Sequence, residues 1–262
     1  MINRRWQEQY TKFGSYEHEI ARGNVKGAFP FFSYGKLEVT GSVTDVLIQD
    51  HDGTVLRVPP IPGVQMSIVS TSANDAAAGT GARTIVIEYL DGNLDYSFEL
   101  ITLNGTTPVN TVATDIRWVQ AMYLATAGTS GKTAVQINLS YDGNSYSRII
   151  ANERTSHSSL RRVPRNKRLL INSMYAGSDS SSSDARVLVE LLITQINGLD
   201  QQESGLFYSQ AGIALKDSST TLSLNMPLPI EAGHIVGFNA TSDKAAKITA
   251  GFIGWIEDAV RI

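Results

Sequence analysis

The stretch Arg83-Thr84-Ile85-Val86-Ile87-Glu88-Tyr89 sets Ile85, Ile87 and Tyr89 against Thr84 and Glu88 at every second position. Successive side chains of a strand leave opposite faces, so this period of two predicts a β-strand with one face buried. The pattern continues outward on both sides. Runs rich in Val, Ile, Thr, Leu and Tyr are separated by Asp52-Gly53, Pro62-Gly63, Asp91-Gly92-Asn93, Asn104-Gly105, Asp142-Gly143-Asn144 and Asn197-Gly198, residues that accept the positive φ of tight hairpin turns. Strands are expected over Val64–Ser70, Arg83–Leu90, Tyr96–Leu103, Ile116–Ala125, Ala134–Tyr141, Ser145–Ala151, Arg168–Ala176, Arg186–Gln195, Thr221–Asn225, His234–Ala240 and Ala246–Trp255. With no interior helix to build a βαβ unit, they predict an all-β fold. The expected form is an antiparallel, jelly-roll-like β-sandwich over residues 36–262, with a subdivision allowed near 152–167.

Composition agrees with a globular β protein. The 262 residues are 42% hydrophobic and 18% charged, with 22 Gly and 8 Pro, far from a disordered or coiled-coil chain. A formal charge of -3 shows no basic excess, so no specific nucleic acid is expected as a partner. The absence of cysteine removes disulfides, thiolate metal sites and Cys nucleophiles. The polar start and the lack of a long apolar run predict no membrane partner and synthesis in a cytoplasm.

Residues 1–35 differ from the rest. Trp6, Tyr10, Phe13, Tyr16, Phe29, Phe31, Phe32 and Tyr34 crowd them with aromatics. The spacing of Trp6, Tyr10, Phe13 and Ile20 fits a short amphipathic helix ending near Gly23-Asn24, so this arm is expected to be extended or short-helical. Its aromatics pack either on the chain's own sandwich or on a neighbouring subunit, where Trp, Tyr and Phe make favoured anchors. Trp6, Tyr10, Phe13, Phe29, Phe31 and Phe32 are therefore candidate interface residues. A second candidate is the basic run Arg154, Arg161, Arg162, Arg165, Lys167 and Arg168. It is either a solvated loop or a surface on which Arg161, Arg162, Arg165 and Arg168 pair with carboxylates of an acidic partner. No aromatics interleave it, unlike a single-strand nucleic-acid binder.

Catalytic patterns fail one by one. Gly131-Lys132-Thr133 ends like a P-loop, but the glycine needed five residues before Gly131 is Thr126, and the following residues alternate like a strand. His18, His51, His157 and His234 lack zinc-site spacing, Asp50-His51-Asp52-Gly53 reads as a turn, and no Gly-x-Ser-x-Gly elbow occurs. The chain is expected not to be an enzyme and to use no cofactor or metal. Ser178–Asp184 reads as a polar hairpin tip. Exposed aromatics at Trp118 and Tyr123 would be needed for a carbohydrate-binding sandwich.

Five segments carry a resemblance: Glu19–Gly27, Ile68–Thr84, Glu99–Val109, Pro229–His234 and Gly251–Trp255. Together they resemble virion structural proteins of tailed bacteriophages, especially short-tailed marine and cyanobacterial phages, of the type that decorates or cements the head. The resemblance implies a homo-oligomer, expected as a trimer, that binds the major capsid protein at junctions between shell subunits on the capsid surface of the virion. Tail or fibre attachment is the alternative placement, and a carbohydrate-binding β-sandwich the alternative class. Similar proteins often read Val-Pro-Ala-Gly-Lys where this chain has Val163-Pro164-Arg165-Asn166-Lys167; Asn also tolerates the turn conformation that Gly adopts.

Overall fold

Two long strands organise the molecule. In the computed structural model, which describes residues 15–51, 54–180, 184–194, 207–216 and 218–259, β12 (Lys167–Asp179) pairs antiparallel with β17 (Ala246–Asp258) from Lys167↔Asp258 to Asp179↔Lys247. Leu169 and Ile171 of β12 point inward, and beyond them Met174 and Ala176 do. A register shift between Ile171 and Ser173 reconciles the two parities, because one extra residue turns the alternation over.

β15 (Ser219–Ile230) extends this sheet beyond β12, while β1 (Phe29–Phe32) and β2 (Gly35–Val39) follow one another along the free side of β17. The facing sheet runs from β3 (Val43–Leu47) through β16 (Ile235–Ser242) and β13 (Val187–Thr194) to β14 (Phe207–Leu215), with the two-residue β11 (Arg161–Arg162) also on β16. The sheet orders are thus β2-β17-β12-β15 and β3-β16-β13-β14. Each sheet alternates early and late strands, the interleaved double Greek key of a jelly roll. Its core holds Ile171, Val189, Phe238, Ile248 and Phe252, all nearly inaccessible.

Between β3 and β11 the chain builds a second sandwich. β4 (Ser67–Ser70), β7 (Val109–Asn110), β9 (Ile137–Tyr141) and β10 (Asn144–Ile149) form one sheet, and β5 (Ala82–Leu90), β6 (Tyr96–Thr102) and β8 (Trp118–Ala127) the other. The expected hairpin at Asp142-Gly143 joins β9 to β10 with both residues at positive φ (48° and 73°), as a two-residue turn demands. Ile68, Ile85, Ile87, Met122 and Leu139 fill this second core. A third cluster, including Leu47, Leu90, Trp118, Leu160 and Ile235, joins the two lobes.

Each of the eleven expected regions contains a strand, in an all-β antiparallel fold. The buried residues of 36–262 nevertheless divide between two main cores. The chain enters the second lobe between Leu47 and Ser67, which had no counterpart in the sequence reading, and leaves it between Ile149 and Arg161. The expected arm is shorter than 1–35, since Phe29–Phe32 is hydrogen-bonded into the first sheet as β1. α1 (Tyr16–Ala21) is the short helix, closed by Gly23 at φ 75°, and it buries Ile20 against Ala28 and Trp255. Gly128–Thr133, the P-loop look-alike, is a loop between β8 and β9 with no helix after it.

Candidate functional site

Sheet alternation, not chain proximity, assembles the candidate site. On β11, Arg161 and Arg162 leave opposite faces. Arg162 points inward, where Nε donates to the Gly233 carbonyl at 3.1 Å and the main chain exchanges hydrogen bonds with the Gln120 amide. Only 1% of Arg162 is exposed, so its place in the docking cluster must be corrected: it is an interior pin between β11 and β8. Arg168 faces out and pairs with Glu231 at 2.9 Å. Arg165 is exposed in the turn, beside Asn166 at φ 58°, the conformation the sequence required there. The four arginines therefore share no single surface.

Arg161 turns into a cleft between the lobes, of about 520 Å³, and there meets the aromatic residues of the expected arm. Phe29, Phe31 and Phe32 of β1 form one wall, with Tyr34 just beyond; Tyr96 and Tyr123 of the second lobe form the other. Thus two stretches over 120 residues apart in sequence, singled out independently, line one site. Phe31 also packs on Phe252 with ring centroids 6.3 Å apart, which makes it part of the first lobe's core edge as well. Trp6, Tyr10 and Phe13 lie outside the described residues. Trp118 is buried in the junction and offers no ring to a sugar.

The electrostatics are those of a half-dry pocket. Arg161 donates through Nη1 to the carbonyls of Ser158 (2.9 Å) and Leu160 (2.8 Å). Burial pulls its guanidinium down to about 10, partly offset by Glu88, Tyr175 and Tyr96, so it remains charged at neutral pH. Glu88, on the outward face of β5, accepts from the Tyr123 hydroxyl at 3.2 Å. Burial first, then the hydrogen bond and charge of Glu88, raise the Tyr96 phenol; burial and Glu88 raise Tyr123 also. His157 at the floor meets Tyr34 edge-on at 5.3 Å, and burial lowers its pKa against the pull of Asp50 and Glu153. Such an arrangement can hold a rigid apolar ligand bearing a negative charge. Among the described residues no group of three or more His, Asp or Glu could hold a metal.

The sequence reading missed the surface next to this cleft. On β6, Tyr96, Phe98 and Leu100 share the outer face, with Phe98 70% and Leu100 59% exposed. Glu88 and Val86 of β5 lie directly opposite Phe98 and Leu100. Phe32, 66% exposed, stands on the other wall. The signal was present as apolar residues at 96, 98 and 100 alternating out of phase with the buried Ile101 and Leu103.

No protein-family model matches the chain, and no curated protein matches it by sequence. Among solved structures it is similar to the N-terminal CBM22-1–CBM22-2 tandem domain of Xyn10C from Paenibacillus barcinonensis, at 13% identity and a TM-score of 0.25, over 90% of this chain and 94% of that one. It is also similar to a chain of infectious bursal disease virus, Gt strain (8% identity, TM-score 0.25, 89% and 73% covered). The VP2 subviral particle of the same virus gives 10% identity and a TM-score of 0.23 over 90% and 73%. TM-scores this low do not reach the level of a shared fold.

Proposed function

We propose that this chain is a non-enzymatic structural protein of a virion, a decoration or cement protein that self-associates, expected as a trimer, and seats on the major capsid protein at the capsid surface. The carrying observation is the uncovered apolar surface of Phe98, Leu100 and Tyr96 beside the Phe29–Phe32 wall. A contiguous exposed patch of large apolar side chains on a rigid sheet marks a protein–protein contact. A jelly roll with a second sandwich inserted offers a stiff body for such a role, though the fold alone does not assign it. A glycan reading is weaker, because the cleft hydroxyls and amide are engaged within the chain: Thr155, Ser156 and Gln120 all bond to main-chain groups.

The test compares the wild type with Phe98→Ser plus Leu100→Ser. Light scattering after size exclusion reads self-association, and co-sedimentation with shells stripped of this chain reads docking. The reading expects both to fall in the variant with the melting temperature held. A wild type that stays monomeric and ignores shells would sink it. Self-association without shell binding would favour tail or fibre attachment.

A further inference from the structure

The cleft holds a cation, Arg161, that feels the charge of Glu88 without forming an ion pair with it. Arg161 uses Nη1 on two main-chain carbonyls, yet among the described residues no carboxylate forms an ion pair with it. The acid closest in role, Glu88, is engaged by the phenols of Tyr123 and Tyr96. A guanidinium held in a desolvated pocket binds a carboxylate with particular strength, since charge-assisted hydrogen bonds gain where water is excluded. The ring walls add a second requirement: the carboxylate must arrive between large apolar groups.

This chain carries such a segment. Trp6-Gln7-Glu8-Gln9-Tyr10 has one acid flanked at two-residue spacing by aromatics. Laid in extended form against a wall, side chains two apart project to one side, so Trp6, Glu8 and Tyr10 would face the cleft together. The same residues wound as a helix would send Glu8 to the face opposite Trp6 and Tyr10, and the match would vanish. The chain also starts from the right place. Tyr16 packs on Trp255 with centroids 6.1 Å apart, Trp255 is the ladder partner of Pro30, and Pro30 lines the cleft. The five steps from Tyr10 to Ser15 reach about 17 Å when extended, which frees Trp6–Tyr10 to leave the surface of its own chain.

We propose that Trp6–Tyr10 of a neighbouring copy seats in this cleft, with Glu8 on Arg161 and Trp6 and Tyr10 against Tyr96, Tyr123 and Phe32. The inference rests on the self-association proposed above and names the contact that produces it. Such an exchange is head-to-tail: each copy gives an arm and receives one, and a ring of copies closes it.

The chain has no cysteine, so single introduced thiols report without background. Gln9→Cys in a tagged chain and Thr155→Cys in an untagged one are mixed and treated with a short bismaleimide; Thr155 lies exposed on the cleft lining. The expected result is a mixed dimer that Glu8→Arg abolishes and that Glu8→Arg with Arg161→Glu restores. In the otherwise native chain, Glu8→Gln is expected to weaken self-association at least about 10-fold without moving the melting temperature. A link forming only when both thiols sit on one chain would overturn the proposal. So would self-association that persists with no cross-link and no effect of Glu8→Gln, an outcome that leaves the assembly reading standing. A wild type that is monomeric at every concentration would remove that reading and this contact together.

Discussion

Replacing Asp75 with Ala would remove the anchor of the second lobe. Asp75 is wholly buried, and its carboxylate accepts four hydrogen bonds: Oδ1 from the Ala82 N–H (2.7 Å) and Ala134 N–H (2.9 Å), Oδ2 from the Ser70 hydroxyl (2.7 Å) and Val135 N–H (3.3 Å). It ties the end of β4, the start of β5 and the approach to β9 at one point. Truncation strands two buried donors, the Ala82 amide and the Ser70 hydroxyl, at about 1–3 kcal/mol each, and leaves two partly wettable amides that cost less, for a total of about 3–6 kcal/mol. For a chain of this size that corresponds to a fall in melting temperature of about 10 °C. Asp75→Asn keeps an acceptor for Ala82 and Ala134 but turns an amide donor toward Val135, so about half that loss is expected. Gly81→Ala probes the same point from the other side, because its Cβ would collide with Asp75 Oδ1. Calorimetry at pH 7 should rank Asp75→Ala below Asp75→Asn, with Gly81→Ala less harmful in the Asp75→Ala background than alone. If both Asp75 variants melt within about 0.5 kcal/mol of the wild type, the carboxylate is not the anchor described.

Arg162→Ala should cost about 2–4 kcal/mol by thermal melting, through the lost Gly233 bond and the void left beside Gln120, whereas Arg165→Ala should stay within about 0.5 kcal/mol. His157 should make the fold acid-sensitive. Burial lowers its folded pKa below the unfolded value of 6.5, so the unfolded chain takes up the proton first, and stability present above about 6.5 is lost as pH falls through the folded value. Melting temperatures between pH 7.5 and 5.5 should slope downward, and His157→Gln should flatten that slope. Gly251→Ala should loosen β1 from β17, since the added Cβ would collide with the Ser33 carbonyl. Faster amide exchange at Phe252, which donates to the Ser33 hydroxyl, reads it out.

Alternation made β5 legible from the chain alone, because it buries Ile85, Ile87 and Tyr89 at every second position. β1 was not legible as a strand: Phe-Pro-Phe-Phe has no alternation, and its extended form comes from pairing with β17. The two-core division was hidden for a related reason. Strand existence is a local property, but whether Ile85 packs with Leu139 or with Ile171 depends on pairings between distant segments. The arginine run misled most plainly, since nearness in sequence places neighbours of a strand on opposite sides of a sheet. What joined Arg161 to Phe32 was the meeting of β11 and β1 at the junction of the lobes.

The way the second sandwich interrupts the jelly roll also sets an order in time. β2 and β3 are made early, yet their partners β17 and β16 lie roughly 200 residues downstream, which at ribosomal rates of about 5–20 residues per second is a wait of some 10–40 s. The inserted lobe needs no such partner: its sheets pair only segments between Ser67 and Ile149. It is therefore able to complete itself on the ribosome while β1, β2 and β3 wait as unpaired strand edges. During that interval those edges are open to pairing with another chain.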